Sequence, residues 1–457
     1  MMKEQHTISQ SYLDQYDKNT IIERVKNAAV VGAGGAGFPT YVKLQSDAEI
    51  FLVNAAECEP MLKVDQQLMV VKAAEMIRGL GYAMKATGAK EGVIALKAKY
   101  QNAIDALTPL LAPNMRIHIL KDVYPAGDEV ITIWMATGRR VPPAQLPITV
   151  GVIVNNVQTL INVCHAVEHE QGVFERTLTI NGCVKNPMTI TVPLGICFQE
   201  LLEYAGGVTI DEFAVINGGP MMGALVEDLN QCVTKTTGAL LVLPRDHILI
   251  QRRLKTDEQI LNMAKTVCEQ CSLCTDLCPR HLIGHEIAPN LVIRATNYKD
   301  LAKPSTFLSA LTCSECSLCE GYACPVNISP MRVNKILKQQ LRAQGARYSG
   351  ELRDADPMAE YRLVPTSRLV SRLNLTPYYQ DAPMLPFDLP YEQVKVAISQ
   401  HIGAAGHPIV TVGDKVEAGQ KLVEAKPDAL SLGVHASCSG TVSSVDAQYI
   451  TIQRGRG

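Results

Sequence analysis

Apolar residues change their spacing along the chain, and its first part alternates between strand-like and helical runs. Short apolar runs occur at 51–60, 91–100 and 115–123, whereas residues 65–88 repeat apolar positions at helical spacing and end at a glycine. Strands that alternate with helices are typical of a parallel sheet covered by helices. The pattern therefore predicts an α/β layer domain over residues 20–165.

The spacing differs in each later part of the chain. From residue 172, short runs rich in β-branched residues and one helical piece predict a compact α+β module. Residues 255–342 are predicted to be helical, and 343–390, rich in Arg, Pro and Asp, is predicted to be a linker that runs over the surface. Short strands separated by Gly, Asp and Ser predict a small β-sandwich or barrel at the end.

Charge and apolar content argue against several classes of protein. The 43 Lys and Arg residues nearly balance the 45 Asp and Glu residues, so no strong field attracts nucleic acid or an anionic membrane. No apolar run reaches the ~18 residues that suggest a transmembrane segment. The first twenty residues are polar and lack the apolar region of a secretory signal. We therefore expect a cytoplasmic protein without a transmembrane segment.

Eight of the 14 cysteines fall in two short clusters. The other six are compatible with core positions, because free cysteine packs as a small hydrophobe; they are Cys58, Cys164, Cys183, Cys197, Cys232 and Cys438. A reducing compartment argues against disulfides within the two clusters. The clustered cysteines are therefore predicted to bind metal.

The first cluster has the spacing of bacterial ferredoxins. Cys268, Cys271 and Cys274 are separated by two residues each, and Cys278 follows after three and precedes Pro279. In that motif three thiolates bind one [4Fe–4S] cluster and the fourth binds the cluster of the partner motif.

The second cluster contains Cys313, Cys316, Cys319 and Cys324, with one extra residue before its last cysteine. We expect Cys278 to complete this second set and Cys324 to complete the first. Zinc is the alternative, since paired cysteines also suit a tetrahedral zinc site, but a third evenly spaced cysteine has no role there. Three histidines that are also possible metal ligands are expected to be solvated or core residues: His165, His281 and His285.

A glycine run at residues 32–37 matches the spacing of a dinucleotide-binding loop, in which backbone amides approach a phosphate. The extra Gly35 and the Phe38-Pro39 that follows are unusual for that loop, and a glycine-rich turn is the alternative interpretation. The match alone is weak.

Four ordered segments resemble the flavin-binding subunits of NADH dehydrogenases and of Rnf electron-transport complexes. They are the glycine loop with its Phe-Pro-Thr, the stretch 54–60, the stretch 124–129 and the stretch 154–159. The resemblance implies FMN with NADH as the electron donor. The residues it assigns to the cofactors are Gly32, Gly34, Gly35, Gly37, Lys43, Asn54, Glu57, Gly127, Glu129, Asn155 and Asn156.

Within that set the resemblance implies different roles. The loop glycines and Lys43 would lie near the phosphate, and the three asparagines near the ribityl chain or ring. Glu57 and Glu129 would face the nicotinamide nucleotide as the catalytic pair. The chain departs from the respiratory subunits at Ala56 and Asp128.

The resemblance extends along the chain and implies a multidomain α/β and α+β protein. The implied units are a Rossmann-like FMN- and NADH-binding domain (1–165), a β-grasp or SLBB domain (172–248), a helical ferredoxin-like domain with two [4Fe–4S] clusters (255–342), the linker (343–390) and a barrel-sandwich hybrid domain (391–457).

This domain order resembles the cobalamin reductase family of propanediol-utilisation microcompartments. It implies NADH-dependent reduction of cobalamin to its low-valent forms in support of a diol dehydratase, inside a bacterial microcompartment, with cobalamin adenosyltransferase and a shell protein as partners. Two alternatives stay open. One is an Rnf-type or microcompartment NADH dehydrogenase subunit with a protein acceptor, and the other is a non-enzymatic electron relay.

Overall fold

The first part of the chain folds around a parallel sheet in the computed structural model, which describes residues 10–298 and 303–455. Its elements are α1 (Lys18–Asn27), α2 (Thr40–Leu44), β1 (Ile50–Ala55), α3 (Val64–Val71), α4 (Ala73–Thr87), β2 (Glu91–Lys97), α5 (Gln101–Leu107), β3 (Met115–Leu120), β4 (Val123–Tyr124), α6 (Glu129–Thr137), β5 (Val152–Asn156) and α7 (Val157–His169). The sheet has the order β3-β2-β1-β5, and every pair in it is parallel. The parallel sheet predicted for residues 20–165 is present.

Strand β1 is buried on both faces, which explains its nearly unbroken apolar sequence. Phe51 and Val53 pack in a core that includes residues of α4 and α7, whereas Leu52 packs on the opposite face with residues of α6. Strands β1 and β5 run in register, with Asn54 opposite Asn156. Their carboxyl ends therefore bring polar side chains together at one edge, where open α/β sheets bind ligands.

A second, mixed sheet follows. Its elements are β6 (Glu175–Gly182), β7 (Met188–Pro193), α8 (Phe198–Tyr204), β8 (Phe213–Asn217), β9 (Ala224–Leu225) and β10 (Ala239–Pro244). The strand order is β7-β6-β10-β8-β9, with β6 and β10 parallel and the other pairs antiparallel. Strands packed with one helix agree with the predicted α+β module.

The region that contains the clustered cysteines is helical, as predicted. Its helices are α9 (Ile248–Leu254), α10 (Asp257–Thr266), α11 (Leu273–Asp276), α12 (Pro279–Leu282), α13 (Pro289–Asn297), α14 (Pro304–Ser309) and α15 (Pro330–Ala343).

Part of the predicted surface linker is buried, so that prediction is wrong for residues 364–375. Strand β11 (Val364–Pro365) pairs with β4, and helix α16 (Thr366–Arg372) follows it. Leu369 and Leu375 are fully buried in a core that also contains Cys316. Such short elements bury only a few apolar residues, too few to give a periodic pattern.

The C-terminal part contains short strands in two sheets. They are β12 (Gln393–Ala397), β13 (His407–Pro408), β14 (Lys415–Val416), β15 (Lys421–Glu424), β16 (Val434–His435), β17 (Gly440–Val445) and β18 (Tyr449–Arg454). The sheet orders are β12-β18-β17-β14 and β13-β15-β16. This unit shares one hydrophobic core with the second sheet, in which Ile190 and Leu240 join Val396 and Ile452. The two β units are therefore packed as one body.

Candidate functional site

A cavity of about 370 Å³ opens at the carboxyl ends of β1 and β5. All eleven residues that the resemblance to flavin-binding subunits assigns to FMN and NADH line it. Residues that the sequence analysis did not assign also contribute, among them Glu59, Asp65, Met222 and Cys316. The cavity thus combines segments that are far apart in sequence.

The glycine run forms a closed loop between α1 and α2. The amide of Gly32 donates to the carbonyl of Phe38 at 2.9 Å, and Val31 and Pro39 form an isolated bridge across the base. The loop follows a helix and one bridge residue, whereas a dinucleotide-binding loop follows a strand. The spacing match to that loop is therefore not supported by its structural context.

The backbone of the glycine loop leaves room for a ligand. A side chain at Gly34 would approach Asn156 to 3.1 Å, whereas one at Gly35 would meet no atom within 4 Å in the part of the chain that the structure describes. Gly37 has a φ of +74°, which L residues rarely adopt. Gly35 therefore lies on the open side of the loop, where it lines the cavity.

Polar side chains opposite the loop are held by short hydrogen bonds. The Lys43 ammonium donates to Glu129 at 3.0 Å and to the carbonyl of Val154 at 2.8 Å, and Asn54 donates to the carbonyl of Gly127 at 2.8 Å. Among the described residues, the buried Nδ2 of Asn155 finds no hydrogen-bond partner. Because buried donors are normally paired, this orphan group fits a cavity that holds a polar ligand such as FMN.

Three carboxyl groups lie against the cavity in a buried environment. Burial raises the pKa of Glu57, and it raises the pKa of Glu59 and of Asp65 to about 7 each. Asp65 accepts a hydrogen bond from Asn156 at 2.7 Å, and Glu59 accepts from the amides of Met221 and Met222. At neutral pH Glu59 and Asp65 are therefore able to take up or hold protons beside a bound ligand.

The cavity supports a direct test of flavin binding at Gly35. Replacing Gly35 with alanine should weaken FMN binding at least about tenfold, roughly 1.4 kcal/mol, because the new methyl group would occupy ligand space. The melting temperature of the flavin-free protein should not change, since no protein atom is displaced.

Flavin titration by fluorescence quenching measures this effect. Gly455→Ala is the matched control, because it too meets no atom within 4 Å. Equal FMN affinity in both variants would show that the flavin does not occupy the space at Gly35.

The structure groups the eight clustered cysteines in the crossed arrangement expected from their spacing. Cys268, Cys271, Cys274 and Cys324 line one small cavity of about 30 Å³. Cys278 interacts electrostatically with Cys313, Cys316 and Cys319. The two sets stay a prediction as cluster ligands, and their grouping fits two cubanes.

In the described part of the chain, no three His, Cys, Asp or Glu side chains are close enough to chelate a single metal ion. The four thiolates around a cubane bind four different irons, so the ligand sulfurs are farther apart than those around one ion.

The two cysteine motifs share the same backbone turn. Gln270 and Ser272 adopt positive φ angles in the first motif, and Glu315 and Ser317 adopt them at the same offsets in the second. The extra residue before Cys324 is accommodated by a single π-helical turn over Cys319–Ala323. A π turn is the usual way in which a helix takes up one inserted residue.

Cys316 connects the second cysteine set to the cavity at the ends of β1 and β5. It lines that cavity, and its carbonyl accepts a hydrogen bond of 2.7 Å from Tyr124. The buried ion pair between Arg280 and Asp128, at 2.9 Å, joins the same two regions, since Arg280 follows Cys278 and Asp128 lines the cavity. The first set is nearer to solvent, because Cys271 is exposed whereas Cys316 and Cys319 are buried.

The three histidines considered as possible metal ligands lie near backbone carbonyls or in a separate cavity. His281 and His285 lie within hydrogen-bond distance of the backbone carbonyls of Ile287 and Val141, and burial lowers the pKa of His285 to about 4. Burial also lowers the pKa of His165, which lines a separate small cavity.

Four family models match the chain. They are the Nuo51 FMN-binding domain (25–165), the SLBB domain (177–225), the 4Fe-4S dicluster domain (267–329) and the RnfC barrel sandwich hybrid domain (380–456). The expected FMN and iron–sulfur cofactors are confirmed by the first and third matches. Among the described residues, no helix has the length and apolar character needed to cross a membrane.

Several known proteins are similar to the chain. It is 60% identical over 435 residues to cobalamin reductase PduS of Salmonella typhimurium, a match that covers 95% of this chain and 96% of that protein. It is 59% identical over 440 residues to cobalamin reductase PduS of Citrobacter freundii, covering 96% and 98%. A component of the Na⁺-translocating ferredoxin:NAD⁺ oxidoreductase complex of Acetobacterium woodii is 34% identical over 283 residues, covering 60% of this chain and 61% of that component.

Proposed function

The chain belongs to the family of the cobalamin reductases PduS, and on that premise we propose that it uses NADH to reduce the cobalt of a cobalamin. When bound, FMN accepts a hydride as an electron pair, and the [4Fe–4S] clusters pass electrons singly. The protein's own contribution is to hold these groups, to orient the nucleotide and to supply protons.

The flavin cavity provides residues for each of these tasks. In this proposal the glycine loop amides and Lys43 bind the FMN phosphate, and the orphan Asn155 amide donates to the flavin or its ribityl chain. Glu57 and Glu129 face the nicotinamide nucleotide. Glu129 is already paired with Lys43, so nucleotide binding at this side chain would compete with the ion pair or extend it.

The pair formed by Asp65 and Asn156 is suited to move a proton at the ligand. The Asn156 amide donates to the Asp65 carboxylate, and burial raises the pKa of Asp65 to about 7. A carboxyl group with that pKa holds a proton about half of the time at neutral pH, which suits proton exchange with a reduced ligand.

The position of Cys316 supports this proposal most directly, because Cys316 belongs to a cysteine set and also lines the flavin cavity. This position supports direct exchange of electrons between the two regions. The exposed Cys271 in the other set supports a surface site for the acceptor. We therefore propose that the second set serves the flavin and the first set serves the cobalamin.

The biological setting is also part of the proposal. The chain would act in the cytoplasm within a propanediol-utilisation microcompartment, the setting that its domain order implies by resemblance. A cobalamin adenosyltransferase would use the low-valent product, and a shell protein is a second proposed partner.

An anaerobic assay with the reconstituted holoprotein tests the function. NADH should reduce hydroxocobalamin at a rate that saturates with cobalamin concentration. The loss of the visible absorption bands of hydroxocobalamin measures this rate. Omitting FMN during reconstitution should abolish the reaction. Rapid NADH oxidation with ferricyanide but without any enzyme-dependent cobalamin reduction would instead support the protein-acceptor alternative.

A further inference from the structure

Two cysteines outside the cluster motifs face each other in the second β unit. Cys197 precedes helix α8, and Cys232 lies in the connection between β9 and β10. Their Sγ atoms are 3.4 Å apart and are not joined by a disulfide bond. This pair has no part in the flavin cavity or in the two cysteine sets.

The backbone at this pair has the geometry of an antiparallel ladder. Cys197 and Cys232 form an isolated antiparallel bridge. The flanking hydrogen bonds run from Val233 to the carbonyl of Ile196 and from Phe198 to the carbonyl of Gln231, both at 2.9 Å. The two cysteines are therefore a non-hydrogen-bonded pair.

In such a pair the Cα atoms are about 4.5 Å apart, which is within the range of about 4.4–6.8 Å found in disulfides. An S–S bond between these thiols therefore needs little movement of the backbone.

The two thiols differ in access and acidity. Cys197 is partly exposed, whereas Cys232 is only 7% exposed. The contact with Cys232 lowers the pKa of Cys197, whereas the same contact and burial raise the pKa of Cys232. An accessible acidic thiol beside a buried partner is the arrangement in which the first attacks a disulfide and the second resolves the product.

We propose that Cys197 and Cys232 form a reversible dithiol–disulfide site that exchanges with low-molecular-weight disulfides such as glutathione disulfide. The Cys197 thiolate attacks one sulfur of the small disulfide and releases one thiolate. The Cys232 thiolate then attacks Cys197 Sγ in the mixed disulfide and releases the second. The two protein thiols lose two electrons and two protons, and the small disulfide becomes two thiols.

Exchange with glutathione buffers tests this site in the full-length holoprotein. The protein is equilibrated anaerobically at a series of ratios of oxidised to reduced glutathione, quenched in acid, alkylated in denaturant and digested for peptide mass spectrometry. Alkylation of Cys197 and Cys232 should fall together as the ratio rises, a cross-linked peptide should appear, and excess reduced glutathione should reverse both changes. Alkylation of Cys183, buried in the same unit, should not change.

Two variants distinguish the roles of the thiols. Cys232→Ser should accumulate glutathione on Cys197, and Cys183→Ser should form the cross-link as the natural chain does. Full alkylation of Cys197 and Cys232 at every ratio would overturn the proposal. A stable glutathione adduct on Cys197 of the unaltered chain, without the cross-linked peptide, would overturn it as well. Both of these results come from the unaltered protein, so they do not depend on the folding of a variant.

Discussion

The Cys319→Ala variant should retain NADH reduction of its flavin but lose most of its cobalamin reductase activity, by about tenfold or more. Cys319 is buried within the second cysteine set and is not among the residues that line the proposed flavin cavity. Its removal should therefore leave hydride transfer intact while it interrupts the proposed path to the acceptor. Stopped-flow bleaching of the flavin and steady-state cobalamin reduction measure the two steps.

Two further cysteine variants act as controls for this result. Cys316→Ala removes a ligand of the same proposed set but also changes the cavity wall. If flavin binds more weakly in this variant than in Cys319→Ala, the difference measures the contribution of the cavity wall. Cys271→Ala affects the exposed set and should lower cobalamin reduction while iron content falls by only half. If Cys319→Ala and Cys271→Ala both reduce cobalamin at the full rate, the flavin itself is the donor.

Replacing Arg280 with methionine should destabilise the folded protein by about 3–5 kcal/mol, the cost of leaving one charge of a buried ion pair without its partner. The Asp128 carboxylate lies 2.9 Å from this guanidinium, and both side chains are largely buried. Denaturant unfolding under anaerobic conditions measures the loss. The only tryptophan, Trp134, reports it well because it lies in α6, which Asp128 caps.

A more exposed ion pair provides the matched control. Arg362 pairs with Asp356 at 3.0 Å with more of its side chain in solvent, so Arg362→Met should cost less than about 1 kcal/mol. Adding Asp128→Asn to Arg280→Met should recover part of the stability, because asparagine removes the orphan charge and still caps a helix. Similar losses for Arg280→Met and Arg362→Met would contradict a special role for the buried pair.

Most of the residues that line the cavity were named from the sequence, because four ordered segments resemble flavin-binding subunits. The structure brings the glycine run and the asparagines at the strand ends to one edge of the sheet, and their role in binding the flavin stays a prediction. Asp65 was missed because it lies in the first turn of a helix. Acidic residues are common there, since they stabilise the positive end of the helix dipole, so the position did not indicate a binding role. Met222 and Cys316 come from other parts of the chain, and no local pattern predicts that they contact the cavity.

The fold, too, could be predicted from the sequence only in part. Cysteine spacing predicted which thiols group together, since the motif itself dictates the turn. It did not predict the π turn that takes up the extra residue before Cys324, because helical and π-helical turns have the same local composition. The core shared by the second sheet and the C-terminal strands was not predicted either. An apolar pattern shows that a strand has a buried face, but not which other element packs against that face.

The unequal exposure of the two cysteine sets should determine the order in which they are damaged when the protein is handled in air. Dioxygen and peroxide reach the set that contains Cys271 first, because Cys316 and Cys319 of the other set are buried. Damage should therefore begin at the end of the proposed path that is farthest from the flavin. An aerobically prepared sample would still oxidise NADH with a dye and would look active in a routine diaphorase assay, while its delivery of electrons to the physiological acceptor had already been lost.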